Sequence, residues 1–305
     1  MKAIVLDAFG GPEVLHVAEV EAPTPGPKNV RIRVRTAGVN PFDYKVRAGY
    51  MRPNLPPKLP AIPGNEAAGV VEEVGAEVSG ITVGDEVFGW TRGGGYCEQA
   101  LLTTFAIKPA ELSDADAVAL LVPGETAERV LRALDVKAGE TVLIHGAAGA
   151  VGTMAVQLAV ARGAKVIGTA GADNQEYLAS LGATPTRYGE GLVERVRALA
   201  PEGVDAVFDV AGRGALEDSI ELRGGTTERI VTIADQANAQ KLGIAASGGG
   251  ASVASRELLE DFVGRVVRGE LKVFIGATYP LEQAAEAQRA SESGHGRGKI
   301  VLTVG

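Results

Sequence analysis

The stretch Thr141-Val-Leu-Ile-His-Gly-Ala-Ala-Gly-Ala-Val-Gly152 constrains the fold more than any other part of the chain. Thr141 to His145 is a short apolar run and reads as a strand. Gly146 to Gly149 holds nothing larger than alanine, so the backbone can turn tightly there. Gly152 to Arg162 is a run of small and apolar residues and reads as a helix. A dinucleotide pyrophosphate needs close backbone approach and free N–H groups at a helix N-terminus, which this succession supplies. Ala147-x-Gly149-x-x-Gly152 is the Gly-x-Gly-x-x-Gly spacing with alanine first. By itself that spacing also fits any tight strand-to-helix turn. Here the next strand, Lys165 to Thr169, completes the unit and favours a bound cofactor. Side chains larger than alanine at 147 and 149 would block the approach, and Gly152 lets the helix pack on the strand.

The chain of 305 residues is about twice the length of one ordinary domain, so two units are expected. The first 110 or so residues read as strands. Ala3 to Leu6 is apolar, and Val30-Arg31-Ile32-Arg33-Val34-Arg35 alternates with period two, giving a half-buried strand with an arginine face. Gly69 to Val74 and Asp85 to Phe88 are further strands. Prolines 23, 25 and 27, then 53, 56, 57, 60 and 63, mark irregular loops and exclude a helical bundle. Past Ser113 the character changes. Ser113 or Asp114 caps a helix through Leu121, and a second helix covers Glu125 to Leu134. Then strands (141–145, 165–169, 204–210, 229–234 and 242–246) alternate with helices (152–162 and 174–181), as in a parallel sheet covered on both faces. A helix over 256–268 and a strand from Lys299 to Val304 return to the first style. The expected boundaries are 1–118 and 255–305 for one discontinuous domain, with 119–254 inserted.

The net charge of −8 supplies no basic field, so nucleic acid and anionic membranes are poor partners. No signal peptide or membrane span fits, and a cytoplasmic protein is expected. Cys97 is the only cysteine, which excludes an intrachain disulfide and a multi-cysteine zinc site. His16, His145 and His295 are scattered without ligand spacing.

Gly139-Glu-Thr-Val-Leu143, Gly146-Ala-Ala-Gly-Ala-Val-Gly152 and Gln157 together resemble the signature of the zinc-independent quinone oxidoreductases of the medium-chain dehydrogenase/reductase superfamily. Ala150 stands where that family usually has glycine. Phe9-Gly-Gly-Pro-Glu-Val-Leu15, Gly38-Val-Asn-Pro-Phe-Asp43, Pro63-Gly-Asn-Glu-Ala-Ala-Gly69, Gly84-Asp-Glu-Val87 and Gly298-Lys-Ile-Val-Leu302 are similar to its other motifs, so the likeness spans nearly the whole chain. It implies an α/β fold in which a Rossmann dinucleotide-binding domain is inserted in a GroES-like, mostly β catalytic domain, commonly as a homodimer. It implies NADPH-dependent reduction of a quinone or an α,β-unsaturated carbonyl compound. An enoyl or alkenal reductase of a biosynthetic pathway and a non-catalytic NADPH-binding protein are the alternatives.

Zinc-dependent relatives carry cysteine and histidine where this chain has Asn40 and Asn65, and both amides are poor zinc ligands, so no zinc is expected. No acid ends the strand Gly168-Thr169-Ala170-Gly171 to hold a ribose 2′-OH, which favours NADPH over NADH. Arg187 is the candidate for the 2′-phosphate; the alternative is a surface arginine. The expected cofactor contacts are Gly146, Ala147, Ala148, Gly149, Ala150, Val151 and Gly152, with Thr169, Ala170, Gly171 and Asn174 after the next strand. The resemblance adds Thr126 near the nicotinamide and Tyr188 near the adenosine. Ala211 and Ile233 end later strands at the same edge. Lys299 either reaches the cofactor or begins the last strand with an exposed head. Glu125 and Glu128 read as solvated helix charge. At the reacting centre, Asn40 is the candidate contact to the nicotinamide ribose or the substrate oxygen, or else a loop amide before Pro41. Asp43 lies two residues before Lys45, and Lys45 or Tyr50 is the candidate donor to the substrate oxygen. The competing readings are a helix-start carboxylate and a surface lysine. Phe42, Tyr50 and Trp90 form either an aromatic wall or core packing.

Overall fold

Two sequence patterns, alternating and continuously apolar, build two different sheets. The structure, a computed structural model, describes residues 1–51, 58–248, 252–294 and 296–305. Prolines 53, 56 and 57 and His295 lie outside the described residues. The chain opens with β1 (Lys2–Leu6), β2 (Leu15–Glu19), β3 (Val30–Val39), α1 (Pro41–Arg47), β4 (Glu66–Val74), β5 (Glu86–Arg92), β6 (Gln99–Ile107) and α2 (Asp114–Leu120). α3 (Val122–Ala133) leads into β7 (Thr141–His145), α4 (Ala150–Ala161), β8 (Lys165–Ala170), α5 (Gln175–Ser180), β9 (Thr184–Arg187), α6 (Leu192–Leu199) and β10 (Ala206–Asp209). α7 (Leu216–Leu222), β11 (Ile230–Thr232), α8 (Gln236–Leu242) and β12 (Ala245–Ala246) complete that series. α9 (Arg256–Val267), β13 (Ile275–Pro280), α10 (Ala284–Ser293) and β14 (Lys299–Thr303) end the chain. Two units result: Met1–Val122 with Ala254–Gly305, and Pro123–Val253.

In the first unit the strand order is β13-β14-β3-β4-β5-β6, and β6 pairs back onto β3. β3 to β6 therefore close on themselves, which removes free edges. β3 shows why its sequence suits this place. Val30, Ile32 and Val34 are buried while Arg33 is exposed, and Arg31 pairs with Glu73 at 2.8 Å. From Thr36 onward the alternation stops and every residue is buried; β14 pairs alongside that half, with Thr303 opposite Thr36 and Ile300 opposite Val39. The core gathers Ile4, Leu6, Ile32, Tyr96, Leu102 and Leu302.

The second unit is one parallel sheet in the order β12-β11-β10-β7-β8-β9, the doubly wound order of dinucleotide-binding sheets. Leu143, Ile167, Val207, Val196 and Ile230 meet in its core. α4 buries Gly152 through Ala159, as its small and apolar composition requires.

Several local readings change. α1 is a helix within the segment expected to be strands; Pro41 occupies its first turn, where a missing N–H costs nothing. α4 begins at Ala150 rather than at Gly152. The strand expected over 242–246 is confined to Ala245–Ala246. Leu242 ends α8, which Asp235 caps through the Asn238 N–H and Gly243 terminates at φ +72°. Ser113, not Asp114, caps α2, accepting from the Asp116 N–H. Among the described residues no helix is long and apolar enough to cross a membrane.

Candidate functional site

In the parallel-sheet unit, the carboxyl ends of β7 and β8 build one surface. Gly146 has φ +71°, a left-handed conformation that lets the chain leave β7 sharply. Thr169 fixes the turn. Its Oγ1 accepts the Gly146 N–H at 3.3 Å, and its carbonyl accepts the Ala147 N–H at 3.0 Å. Gly149 N–H closes onto the Gly146 carbonyl at 3.2 Å. The glycines differ in purpose. A Cβ on Gly152 would lie 2.3 Å from the Gly146 carbonyl oxygen and 2.6 Å from Ala147 Cα, so packing alone demands glycine there. A Cβ on Gly149 would meet only the Gly146 oxygen, at an ordinary 3.5 Å. The space above Gly149 is therefore open to a ligand. Ala150, Val151 and Gly152 open α4, and the first amides of a helix have no intrahelical acceptor. Ala147 and Ala148 are buried in the turn. This part of the surface fits a pyrophosphate: small residues, amides at a helix N-terminus, and room.

β8 ends at Ala170, and the chain passes Gly171 and Asn174 before α5 begins. Gln175, missed from the sequence, shapes this loop: its Nε2 donates to the Ala170 and Gly171 carbonyls, each at 3.0 Å. Arg187, the last residue of β9, is level with Ala170 in the parallel register and exposed. Tyr188 is exposed too, its hydroxyl 3.8 Å from where a Gly171 Cβ would stand. Arg195 holds the Arg187–Glu190 loop, donating to the carbonyls of Glu190 at 2.7 Å and Arg187 at 2.9 Å. Ala211 and Ile233 are half-buried just beyond β10 and β11. Thr126 is buried in α3, with its hydroxyl 3.5 Å from Glu125 Oε2. Glu125 and Glu128 are not solvated charges. Both are buried and paired, Glu125 with Arg129 at 3.0 Å and Glu128 with Arg132 at 2.6 Å and Arg162 at 2.7 Å.

The first unit holds a separate polar cluster. Lys299 is 2% exposed and Glu66 fully buried, and the two form an ion pair. The Lys299 ammonium also donates to the Val39 carbonyl at 3.0 Å and to Asn40 Oδ1 at 2.5 Å. Its three hydrogens are thus all used, which corrects both expectations for this residue: the head is not exposed, and no N–H remains for a cofactor. Asn40 Nδ2 donates to Glu66 Oε1 at 2.8 Å, and the Val122 N–H to Glu66 Oε2 at 2.7 Å. Gly38 admits the carboxylate, since a Cβ there would stand 2.1 Å from Glu66 Oε1. Asp43 is the helix-start carboxylate. Its Oδ2 accepts the Asn40 N–H and the Tyr96 hydroxyl, both at 2.8 Å, and Asn65 Nδ2 approaches Oδ1 at 3.5 Å. Burial pushes the Asp43 carboxyl up to about 6, although the Asn40 and Tyr96 hydrogen bonds oppose the shift. Lys45 is half-buried, and burial lowers its pKa. Tyr50 is 68% exposed, which removes core packing as its role. Phe42 and Trp90 are half-buried. The Cys97 thiol is pushed up to about 12 by burial and is inert. Among the described residues no three His, Cys, Asp or Glu side chains cluster as metal ligands.

Comparison with known proteins identifies the architecture. Residues 26–131 match the alcohol dehydrogenase GroES-like domain, and residues 181–302 match the zinc-binding dehydrogenase domain. Mouse quinone oxidoreductase is 33% identical over 99% of this chain and 97% of its own. A solved structure described as an NAD-dependent alcohol dehydrogenase superposes with TM-score 0.87 at 33% identity, covering all of both chains. Escherichia coli quinone oxidoreductase in complex with NADPH superposes with TM-score 0.87 at 28% identity, covering 99% of this chain and 100% of its own. The closed β unit is thus GroES-like and the parallel unit a Rossmann domain, and with this full-length identity the chain belongs to the quinone oxidoreductase family of the medium-chain dehydrogenase/reductase superfamily.

Proposed function

We propose that this protein is an NADPH-dependent reductase of quinones or other α,β-unsaturated carbonyl compounds that works without zinc. The observation that carries the reading is the open surface over Gly149, beside the amides that begin α4 and in line with the Arg187 side of the same sheet edge. Gly146 to Gly152 would hold the pyrophosphate, Gly171 and Tyr188 the adenosine, and Arg187 the 2′-phosphate. Arg187 is free to do so because its carbonyl, not its guanidinium, is what Arg195 binds. The end of β8 carries no acid that would repel that phosphate, and the nearest, Asp173, is exposed. When bound, NADPH supplies a hydride. The chain's own part is to orient and to exclude water, which this chemistry needs more than an ionisable nucleophile. Asn40 keeps one amide hydrogen beyond its bond to Glu66, and we assign it to the substrate oxygen. Lys45 or Tyr50 remains the candidate proton donor.

Zinc does not fit the residues present. The positions that carry cysteine and histidine in zinc-dependent relatives are the neutral amides Asn40 and Asn65. Asn40 Oδ1 already faces the Lys299 ammonium at 2.5 Å, a cation that would repel a second one. The acceptor is therefore one that is electrophilic without a Lewis acid.

The test is steady-state turnover of NADPH and NADH with 1,4-benzoquinone, 9,10-phenanthrenequinone, 2-alkenals and enoyl thioesters, in chelated buffer. Turnover with a quinone or alkenal, and a higher kcat/KM for NADPH, is expected. Arg187→Ala should raise the KM for NADPH about tenfold, the loss of one charge-assisted contact, and leave NADH unchanged. Equal efficiency with NADH overturns the cofactor assignment, and loss of activity on chelation overturns zinc independence. NADPH binding without turnover of any acceptor overturns the enzyme reading. A homodimer belongs to the same proposal, and a sedimenting monomer at micromolar concentration would contradict it.

A further inference from the structure

The cofactor edge of the Rossmann unit sits on a buried polar row, of which only Thr169 was expected to touch the cofactor. The register sets Asp209, the last residue of β10, level with His145 at the end of β7 and Thr232 at the end of β11. Thr169 of β8 adjoins His145, with its Oγ1 3.4 Å from Nδ1. All four are buried at the carboxyl ends of their strands, whose middles are apolar. A carboxylate in the middle of a parallel sheet is costly unless it is fully hydrogen-bonded. Asp209 is satisfied by neutral donors alone: Oδ1 accepts the N–H groups of Ala211 and Gly212, each at 3.0 Å, and Oδ2 accepts the Thr232 hydroxyl at 2.6 Å.

Thr232 repeats the device on the next strand. Its one proton goes to Asp209, and its two lone pairs accept the Ala234 and Asp235 N–H groups, each at 3.1 Å. His145 completes the row. The Ser219 hydroxyl donates to the Ala215 carbonyl at 2.5 Å, so Ser219 Oγ must accept from His145 Nε2–H at 3.1 Å. Nδ1 is then the bare nitrogen and accepts the Thr169 hydroxyl, whose oxygen in turn accepts the Gly146 N–H at 3.3 Å. Burial pushes the His145 pKa down to about 4, so the imidazole is neutral and the proton order is fixed by the network.

His145 ties the side chains of Ser219 and Thr169 together, and each other side chain of the row holds backbone that leaves its own strand or a neighbouring one. The loops so held begin at Gly146, at Ala211 and at Ile233. The last two touch: a Cβ on Gly212 would stand 2.7 Å from Ala234 Cβ. A shift in one is therefore passed to the other. We propose that Asp209 and Thr232, with His145 and Thr169, are positioning residues that set these three loops for the dinucleotide before it arrives. The proposal rests on the NADPH reading above. Preorganisation of this kind acts on affinity, because a loop that must be ordered on binding subtracts from the contacts it makes.

The test compares Thr232→Val with Thr232→Ser, and both with Asp209→Asn, by fluorescence titration of NADPH and by amide hydrogen exchange of the free protein. Thr232→Val is nearly isosteric and loses the hydroxyl; Thr232→Ser keeps it. Asp209→Asn would turn an N–H toward a threonine oxygen whose lone pairs are already used. Thr232→Val and Asp209→Asn should raise the NADPH Kd about tenfold, while Thr232→Ser stays within about threefold. Ala211, Gly212, Ala234 and Asp235 amides should exchange slowly in the wild type and faster in Thr232→Val. If Asp209→Asn does not fold, the threonine pair decides. A folded Thr232→Val with an unchanged Kd and only a lower melting temperature would overturn the proposal and leave the row a purely structural feature. Failure of the wild type to bind NADPH would instead overturn the cofactor reading; fast exchange of the four wild-type amides would then overturn the row as well.

Discussion

The fully buried acid of each unit, Glu66 in the GroES-like one and Asp209 in the Rossmann one, is satisfied in the opposite way. In the GroES-like unit the cluster is ionic and closed. Lys299 and Glu66 neutralise each other, Asn40 bridges them, and the ammonium has no hydrogen left over. In the Rossmann unit the row is built from hydroxyls, amides and one neutral imidazole around a single carboxylate, and its bonds run out into loops. The first arrangement fixes a β-barrel corner; the second fixes a surface and leaves it open. A buried charge pair is an unforgiving element, since either partner alone is worse than neither. A row of neutral donors can lose a member more cheaply, which suits an edge whose task is precision.

The largest expected effect tests that asymmetry. Lys299→Met leaves the Glu66 carboxylate buried without its cation and should cost about 3–5 kcal/mol of stability. Adding Glu66→Gln to it should recover part of the loss, because two neutral groups replace one orphaned charge. Thr232→Val should cost less, about 2–3 kcal/mol, because it strips one hydrogen bond from the Asp209 carboxylate but removes no counter-charge. Urea denaturation read by Trp90, the only tryptophan and a residue of the GroES-like unit, reports the first two variants directly. A Lys299→Met loss no larger than that of Thr232→Val would show that the ion pair is solvated and the contrast false.

A smaller effect separates the units by pH. Asp43 has a native pKa of about 6 against an ordinary 3.8, so its native state binds the proton more tightly. Its contribution is full below about pH 4 and is lost as the pH rises through 6. His145 has a native pKa of about 4 against 6.5, so its contribution is full above 6.5 and is lost as the pH falls toward 4. Each amounts to at most about 3 kcal/mol, and over the shared window they oppose each other. Asp43→Asn removes one side. Relative to the variant, the wild type should lose about 2–3 kcal/mol between pH 4 and 7, as urea midpoints would record. A difference that does not change with pH would mean Asp43 titrates as an exposed carboxylate.

Much of this was legible locally. The alternation of Val30 to Arg35, a cap at Ser113 or Asp114 and the strand–turn–helix at 141–152 each needed only neighbouring residues. α1 was only half legible: Asp43 could be read as a helix-start carboxylate, but Asn40-Pro41 reads as a loop, although proline is at home in a first helical turn. The Glu125–Arg129 and Glu128–Arg132 pairs were visible at spacing four and were read as solvated charge, since burial is not encoded in that spacing. Lys299 could not be placed from sequence: its partners Asn40 and Glu66 are 259 and 233 residues away. The signal that could have helped was chemical. Glu66 ahead of the apolar run Ala67 to Val71, and Asp209 within Val207-Phe208-Asp209-Val210, are acids set against apolar runs. An acid there demands a partner, but only the fold says which.

The smallest expected effect on stability tests the open side of the comparison. Gly149 and Gly152 are three residues apart in one turn, yet only Gly152 is packed: its Cβ would stand 2.3 Å from a carbonyl oxygen, against 3.5 Å for Gly149. Gly149 is the residue before α4, with an ordinary extended backbone at φ −70°, so alanine introduces no strain there. Gly149→Ala should cost no more than about 1 kcal/mol, since alanine is a poorer helix N-cap than glycine but meets no clash there. The added methyl nevertheless occupies the space a pyrophosphate would need, and NADPH affinity should fall at least about tenfold, the cost of losing close backbone approach and one good hydrogen bond. Thermal melting of the free protein and NADPH fluorescence titration measure the two quantities separately. Full affinity in the alanine variant would mean that the cofactor does not approach the backbone at 149, and the open surface would need another explanation.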